Sequence, residues 1–300
     1  MPPTLLPDLL RDLPLPWLAA LAAVFGLVIG SFVNVVAHRL PLMLERRWAA
    51  QDAAAGTAPA PLPPTLPEHQ RYNLAWPGSH CPHCKHALAW HHNLPLLSFV
   101  ALRGRCAHCR ASIGLHYPLV ELCTALWFAG CVLHWGAGWA ALCWAGFGAA
   151  LIALAVIDWQ TTCLPDEITQ PLLWSGLMGA ALGVSGTTVD DALWGAVAGY
   201  LSLWTVCRAF ESITGRVGMG EGDFKLLAAL GAWAGWQALL PVVLLASIAG
   251  VAAGLVMRSR GTLREGGYLP FGPFLAAAGL WVAMDGADPL LHWLGLGMLA

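Results

Sequence analysis

The sequence predicts an all-α polytopic membrane protein of seven to eight transmembrane helices, carrying a small cytoplasmic zinc-ribbon-like insertion. Three observations lead there. Of 300 residues, 58% are hydrophobic and only 11% charged, where a soluble domain carries about a quarter charged residues. Polar groups cannot cover a globular surface at that composition, so lipid must. The apolar residues are also grouped into runs of spanning length, parted by short loops marked by Gly, Pro or charge. One extended polar region, residues 38 to about 115, interrupts them and holds two C-x-x-C pairs.

The first apolar run covers Trp17 to Val36. It lacks the basic flank and the small-residue cleavage site of a signal peptide: Asp8, Arg11 and Asp12 precede it, and Ala37-His38-Arg39-Leu40-Pro41 follows. It reads as a retained span, so residues 1–37 form the first transmembrane helix with a short external N-terminus. Residues 38–115 are then a loop in two parts. Ala49 to Pro67 is rich in Ala and Pro and reads as a loose tether, whereas Arg71 to Ser112 is compact and rich in Cys and His. From Tyr117-Pro118 the chain is almost continuously apolar. The expected spans are 118–135, 139–157, 168–184, 190–207, 225–236, 238–257 and 269–284, with 287–300 as a further candidate; several are only marginally long, so the total is set at seven or eight, and residues 116–300 make up the membrane core.

Lys and Arg orient these spans. Eight of the fifteen lie between Arg39 and Arg110, three (Arg208, Arg216, Lys225) flank one later loop, and three (Arg258, Arg260, Arg264) sit in another. The spans place all three clusters on one side, which the rule makes cytoplasmic. The loops assigned to the other side, near Trp135–Gly138, Gly183–Asp191 and Asp285–Asp288, contain neither residue. A net charge of −2 offers no basic face for nucleic acid.

Acidic residues at membrane depth are costly and mark function. Asp158 ends the run Leu151 to Ile157, at the cytoplasmic end of its span. Asp223 stands in Gly218-Met-Gly-Glu-Gly-Asp223-Phe-Lys, at the start of a later span on the same side. Two carboxylates at one depth can share a proton, which suits them to activate water against a peptide carbonyl and protonate the leaving amine. Alone, Asp223 would be as well explained as a helix N-cap; its pairing with Asp158 favours catalysis. Gly220 and Gly222, which lack a Cβ, would let the backbone bend before the helix and a substrate chain approach the carboxylate. Asp166, after Leu164-Pro165, reads as an N-cap or a supporting carboxylate. Glu121 either is structural or lines the cavity.

Cys81-Pro-His-Cys84 and Cys106-Ala-His-Cys109 are separated by 21 residues, close to the spacing of a zinc ribbon. Four thiolates in a reducing cytoplasm imply a closed, structural zinc site; two disulfides or a redox pair are the alternatives. His83 and His108 are bystanders within the knuckles, and His91 and His92 are surface residues. The other five cysteines (Cys123, Cys131, Cys143, Cys163, Cys207) read as small buried hydrophobes.

An ordered set of motifs resembles the type IV prepilin leader peptidases, membrane aspartyl proteases of the Gly-x-Gly-Asp type. It begins with Gly26-Leu-Val-Ile-Gly30-Ser31-Phe32-Val-Asn34 and Arg39-Leu40-Pro41. Asn73 to Cys81, Asn93 to Ser98, Arg103-Gly-Arg-Cys106 and Tyr117-Pro-Leu-Val-Glu121 continue it. Ile157-Asp158, Leu164-Pro165-Asp166, Gly220-Glu-Gly-Asp223-Phe-Lys and Leu269-Pro-Phe-Gly-Pro-Phe-Leu275 complete it. The resemblance spans residues 15 to 280. It implies an inner-membrane enzyme of pilus assembly and type II secretion, with Asp158 and Asp223 as its catalytic pair. The implied substrates are prepilins and pseudopilins, with a short basic leader, a glycine before the cut and an apolar helix after it. Members that carry the cysteine module commonly also methylate the new amino terminus with S-adenosylmethionine. No Gly-rich motif marks a site for that donor in this sequence.

Three other readings compete. A proton-coupled transporter would use the two aspartates as a relay, but both lie near the boundary rather than the midplane and no inverted repeat is evident. A related Gly-x-Gly-Asp protease with another substrate would lack the zinc module and the first-span motif. A catalytically dead scaffold would not need both aspartates.

Overall fold

The computed structural model describes residues 13–56, 72–89, 91, 94–216, 218–262 and 269–286. The expected last span 287–300, Asp8, Arg11, Asp12, Arg71, His92, Asn93, Arg264 and the tether beyond Gly56 lie outside the described residues. Within them the chain is helical, apart from two isolated β-bridges, His80 with Ala87 and Arg105 with Ser112. The helices are α1 (Leu15–Ala54), α2 (Leu97–Ala101), α3 (His116–Trp135), α4 (Trp139–Thr161) and α5 (Asp166–Ala181). They continue with α6 (Val189–Thr214), α7 (Glu221–Ala234), α8 (Leu239–Ser259), led in by a 3-10 turn at Trp236–Ala238, and α9 (Gly272–Asp285). By length and composition, α1, α3, α4 and the Trp236–Ser259 stretch can cross a membrane.

One expectation needs correction. Residues 38–54, read as the beginning of a loop and, from Ala49, of a loose tether, are helical, because α1 runs without interruption from Leu15 through Pro41 to Ala54. The reason is composition: Leu42-Met-Leu-Glu-Arg-Arg-Trp-Ala-Ala is built almost wholly of strong helix formers.

The chain divides into two compact units, Trp17–Gly130 and Cys131–Ala300 with residues 1–16. In the first, small residues bring α1 and α3 close together, as membrane helices require. A Cβ on Gly26 would stand 2.8 Å from the Ala125 Cα, and one on Gly30 would stand 2.7 Å from the Glu121 Cα. Asn34 Nδ2 donates to the Tyr117 carbonyl at 3.1 Å. Farther along α1 the buried Arg39 donates to the carbonyls of Asn73 (3.0 Å), Leu74 (3.3 Å) and Pro77 (2.6 Å), fastening the segment that leads into the first cysteine pair. Burying a guanidinium is tolerable only because these acceptors replace its water.

In the second unit, α7 is the central helix. Leu226, Leu227, Ala229 and Ala232 are fully buried, between α5, α6 and α9. At 14 residues it is about 21 Å long, short of a bilayer core of about 30 Å. Gly195 of α6 faces Gly231 of α7 in direct backbone contact, and a Cβ on Gly199 would stand 2.6 Å from the Leu227 carbonyl. Trp233 caps this packing: its Nε1 donates to the Leu172 carbonyl at 2.8 Å, and its ring lies 5.0 Å from those of Trp144 and Phe147.

Candidate active site and metal centre

Asp158 lies one turn before the end of α4, which stops where Thr162 adopts a left-handed conformation (φ 54°) and returns its N–H to the Asp158 carbonyl. Asp223 is the third residue of α7, whose N-cap is Gly220. Both carboxylates are buried, and Leu164 packs both on Gly222, next to Asp223, and on Gly272, which touches Asp158. Tertiary folding thus joins two acids 65 positions apart in sequence. Among the described residues, Asp223 Oδ1 is buried and has no hydrogen-bond partner. A buried polar atom left so is costly in a finished structure.

Leu164 organises this arrangement. A Cβ on Gly222 would stand 2.6 Å from its Cβ, and a Cβ on Gly272 would stand 3.2 Å from its Cδ2. The α4–α5 connection, the start of α7 and the start of α9 therefore meet at one side chain. The glycines act by close approach here; neither Gly220 nor Gly222 uses a positive φ. Gly222 yields its space to Leu164, whereas a Cβ on Gly220 would meet only Asp223 Oδ2, at 4.0 Å.

Gly272 is the residue to which the sequence assigned no role. As the first residue of α9 its amide has no acceptor within the helix, and it donates to Asp158 Oδ2 at 2.9 Å. A Cβ there would stand 2.7 Å from the same oxygen, so only glycine allows this contact. The partial positive charge of the helix start adds to it. The sequence signal available was Pro-Phe-Gly-Pro directly before an apolar run, which marks a helix start in need of an acceptor.

Asp166 is not the N-cap, which is Pro165; it opens α5 and receives both its hydrogen bonds from Lys225 Nζ of α7, each at 2.8 Å. This ion pair ties the starts of α5 and α7 together two residues from Asp223. Glu121 lies in the other unit. It is buried, accepts from the Leu96 amide at 2.8 Å and from the Ser31 side chain, and so joins α1, α3 and the cysteine module.

The four cysteines converge. The sulfurs of Cys81, Cys84, Cys106 and Cys109 all lie within 4.8 Å of one another, and Cys81 and Cys109 are 3.8 Å apart. Sulfurs held tetrahedrally at a zinc–sulfur distance of about 2.3 Å would be about 3.8 Å apart, whereas a disulfide needs about 2.05 Å. The two knuckles are copies. Lys85 and Arg110 take left-handed φ values of 58° and 60° and donate their amides back to Cys81 and Cys106. Each loop is closed by one of the β-bridges. The Cys109 and His108 amides, pointing at the Cys106 sulfur, hold its thiol down at about 6, whereas Cys109, despite the Ala111 amide, is pushed up to about 11 by burial and the neighbouring sulfurs, so that four thiolates need a cation between them. His108 stacks on His86 at 4.3 Å, interplanar angle 8°. The residues present therefore fit a closed tetrathiolate metal site.

Comparison with known proteins shows the family. Residues 24–135 match the family model described as the Bacterial Peptidase A24 N-terminal domain, and residues 145–255 match that of the Type IV leader peptidase family. A protein of Burkholderia pseudomallei named prepilin leader peptidase/N-methyltransferase is 52% identical over 267 residues, 89% of this chain and 85% of the relative. Proteins of the same name from Aeromonas salmonicida (46% identical; 93% of this chain, 94% of the relative) and Pseudomonas aeruginosa (45%; 94% and 95%) are similar over nearly their whole length. No solved structure matches.

Proposed function

The chain belongs to the type IV leader peptidase family, and on that premise we propose that it removes the basic leader of prepilins and pseudopilins, after a glycine, at the cytoplasmic face of the inner membrane. Asp158 and Asp223 are the catalytic pair. The observation that carries this reading is the buried juxtaposition of the two carboxylates, one anchored by the Gly272 amide and the other with an oxygen unpartnered.

In the proposed reaction, water binds between the carboxylates. The ionised aspartate takes a proton from the water while the water oxygen attacks the scissile carbonyl; the protonated aspartate supplies a proton to the developing tetrahedral oxygen. Collapse breaks the C–N bond as a proton passes to the leaving amine. The glycine carboxylate stays with the leader and the free amine becomes the pilin N-terminus. Gly272 holds Asp158 in place, Gly222 seats the start of α7 against Leu164, and the Asp166–Lys225 pair fixes α5 to α7. Gly220 leaves room beside Asp223, and Glu121 braces the cysteine module. That module holds a structural zinc, and residues 38–115 with their basic side chains face the cytoplasm. The relatives' printed name also supports a second activity, transfer of a methyl group from S-adenosylmethionine to the new N-terminal amine. Nothing in these relatives favours a transporter.

The test is cleavage of a model prepilin in membranes, read by product mass, for wild type, Asp158→Asn and Asp223→Asn. Only wild type should release the leader; normal processing by either variant would sink the proposed pair. A product heavier by one methyl group, dependent on added donor, would establish the second activity.

A further inference from the structure

We propose that α2, with the turn before it, is an interfacial anchor by which the cysteine module dips into the lipid leaflet beside α3. The helix is only 5 residues long, yet it has two distinct faces. Leu96, Phe99 and Leu102 are half-buried, and Phe99 packs on the second knuckle, where a Cβ on Gly104 would stand 3.0 Å from its ring. Leu97 and Val100 point away and are 68% and 72% exposed, with Leu94 at 39%. The one hydroxyl on this helix, Ser98, is already satisfied by the Leu94 carbonyl at 2.8 Å. In water, three bulky hydrocarbon side chains on one small outer face would be a liability; beside a bilayer they are an anchor.

Depth identifies lipid as the occupant. The Leu96 amide donates to Glu121 Oε2 at 2.8 Å, and Glu121 stands in the second turn of α3, a helix long and apolar enough to span. By that level α3 already turns leucines outward: Leu119, Leu122 and Leu126 are 59%, 42% and 63% exposed. The hydrogen bond therefore holds the outer face of α2 level with side chains that meet hydrocarbon. Charge agrees with this placement. Residues 72–120 contain Lys85, Arg103, Arg105 and Arg110 but no Asp or Glu. The exposed Arg103 and Arg105 follow α2 directly, where their guanidinium groups can reach phosphate headgroups as the leucines enter the acyl region. The anchor limits the motion of the module to the membrane plane. It does not depend on the peptidase reading.

The test uses the full chain in vesicles of phosphatidylethanolamine and phosphatidylglycerol whose acyl chains are brominated near the headgroup end. An environment-sensitive fluorescent amino acid replaces Leu97 or Val100, with Leu119 as the lipid-facing reference and Lys85 as the aqueous one. Bromine should quench positions 97 and 100 at least half as strongly as position 119, and leave position 85 nearly untouched. A melting temperature equal to that of the unlabelled protein certifies the fold in each case. Quenching at 97 and 100 no greater than at 85 would overturn the proposal. So would a blue shift at these positions that appears only when prepilin is added, which would make the face a substrate dock instead.

Discussion

At the scale of single residues, Gly272 and Asp158 show how narrow the tolerances of the site are. The carboxylate oxygen lies where a side chain on residue 272 would begin, 2.7 Å from that Cβ. Gly272→Ala must therefore push Asp158 aside or withdraw the start of α9, and either breaks the 2.9 Å hydrogen bond. We expect prepilin cleavage to fall by up to about 10²-fold, as displacements near 1 Å do elsewhere, while the protein accumulates normally in the membrane. A kcat unchanged in steady-state kinetics would refute the positioning role. Asp223→Asn keeps the shape of the site but removes its titratable proton, and no leader release is expected. Leader release measured by mass spectrometry distinguishes the two variants, since only Gly272→Ala should retain residual turnover.

At the scale of elements, α7 is held by two kinds of contact that respond differently to mutation. Its backbone meets α6 at Gly195 and Gly231 with no room for a side chain, so Gly231→Leu should destabilise the helical unit by about 1–3 kcal/mol and lower its melting temperature in detergent. The Lys225–Asp166 pair is more exposed, Asp166 to 56%, and such pairs contribute about 0–1 kcal/mol to stability. Asp166→Asn should leave the melting temperature almost unchanged but lower cleavage, because Lys225 then no longer fixes the start of the helix that carries Asp223. Equal losses of stability and activity in that variant would reduce the pair to a structural tie.

At the scale of the whole molecule, metal and chemistry are assigned to different units. The four sulfurs lie in Trp17–Gly130, and both aspartates lie in the unit that begins at Cys131. Cys81→Ser opens a closed tetrathiolate site, so metal analysis of the purified protein should show the zinc content of wild type, roughly one per chain, largely lost. Methylation and abundance should drop more than the rate of cutting, when both products are resolved by mass. Wild-type protein purified without any zinc would remove the basis of this prediction.

The sequence by itself determined the class of protein, the order of its helices and the identity of the chemical groups. Low charge forces a lipid solvent, apolar runs place the helices though not their ends (α1 runs on from the expected Val36 to Ala54), and C-x-x-C spacing or a lone Asp beside glycines is a local chemical fact. It also carried the family resemblance, because ordered motifs survive without coordinates. What only tertiary structure decided is which distant atoms meet: Gly272 with Asp158, Lys225 with Asp166, Leu164 between two glycines, and Glu121 with Leu96. Each of these is a contact between residues far apart in sequence, where periodicity and propensity have no reach. Gly222, singled out in the sequence for a bend, makes way instead for the Leu164 side chain, because close packing around a buried helix is settled by its neighbours.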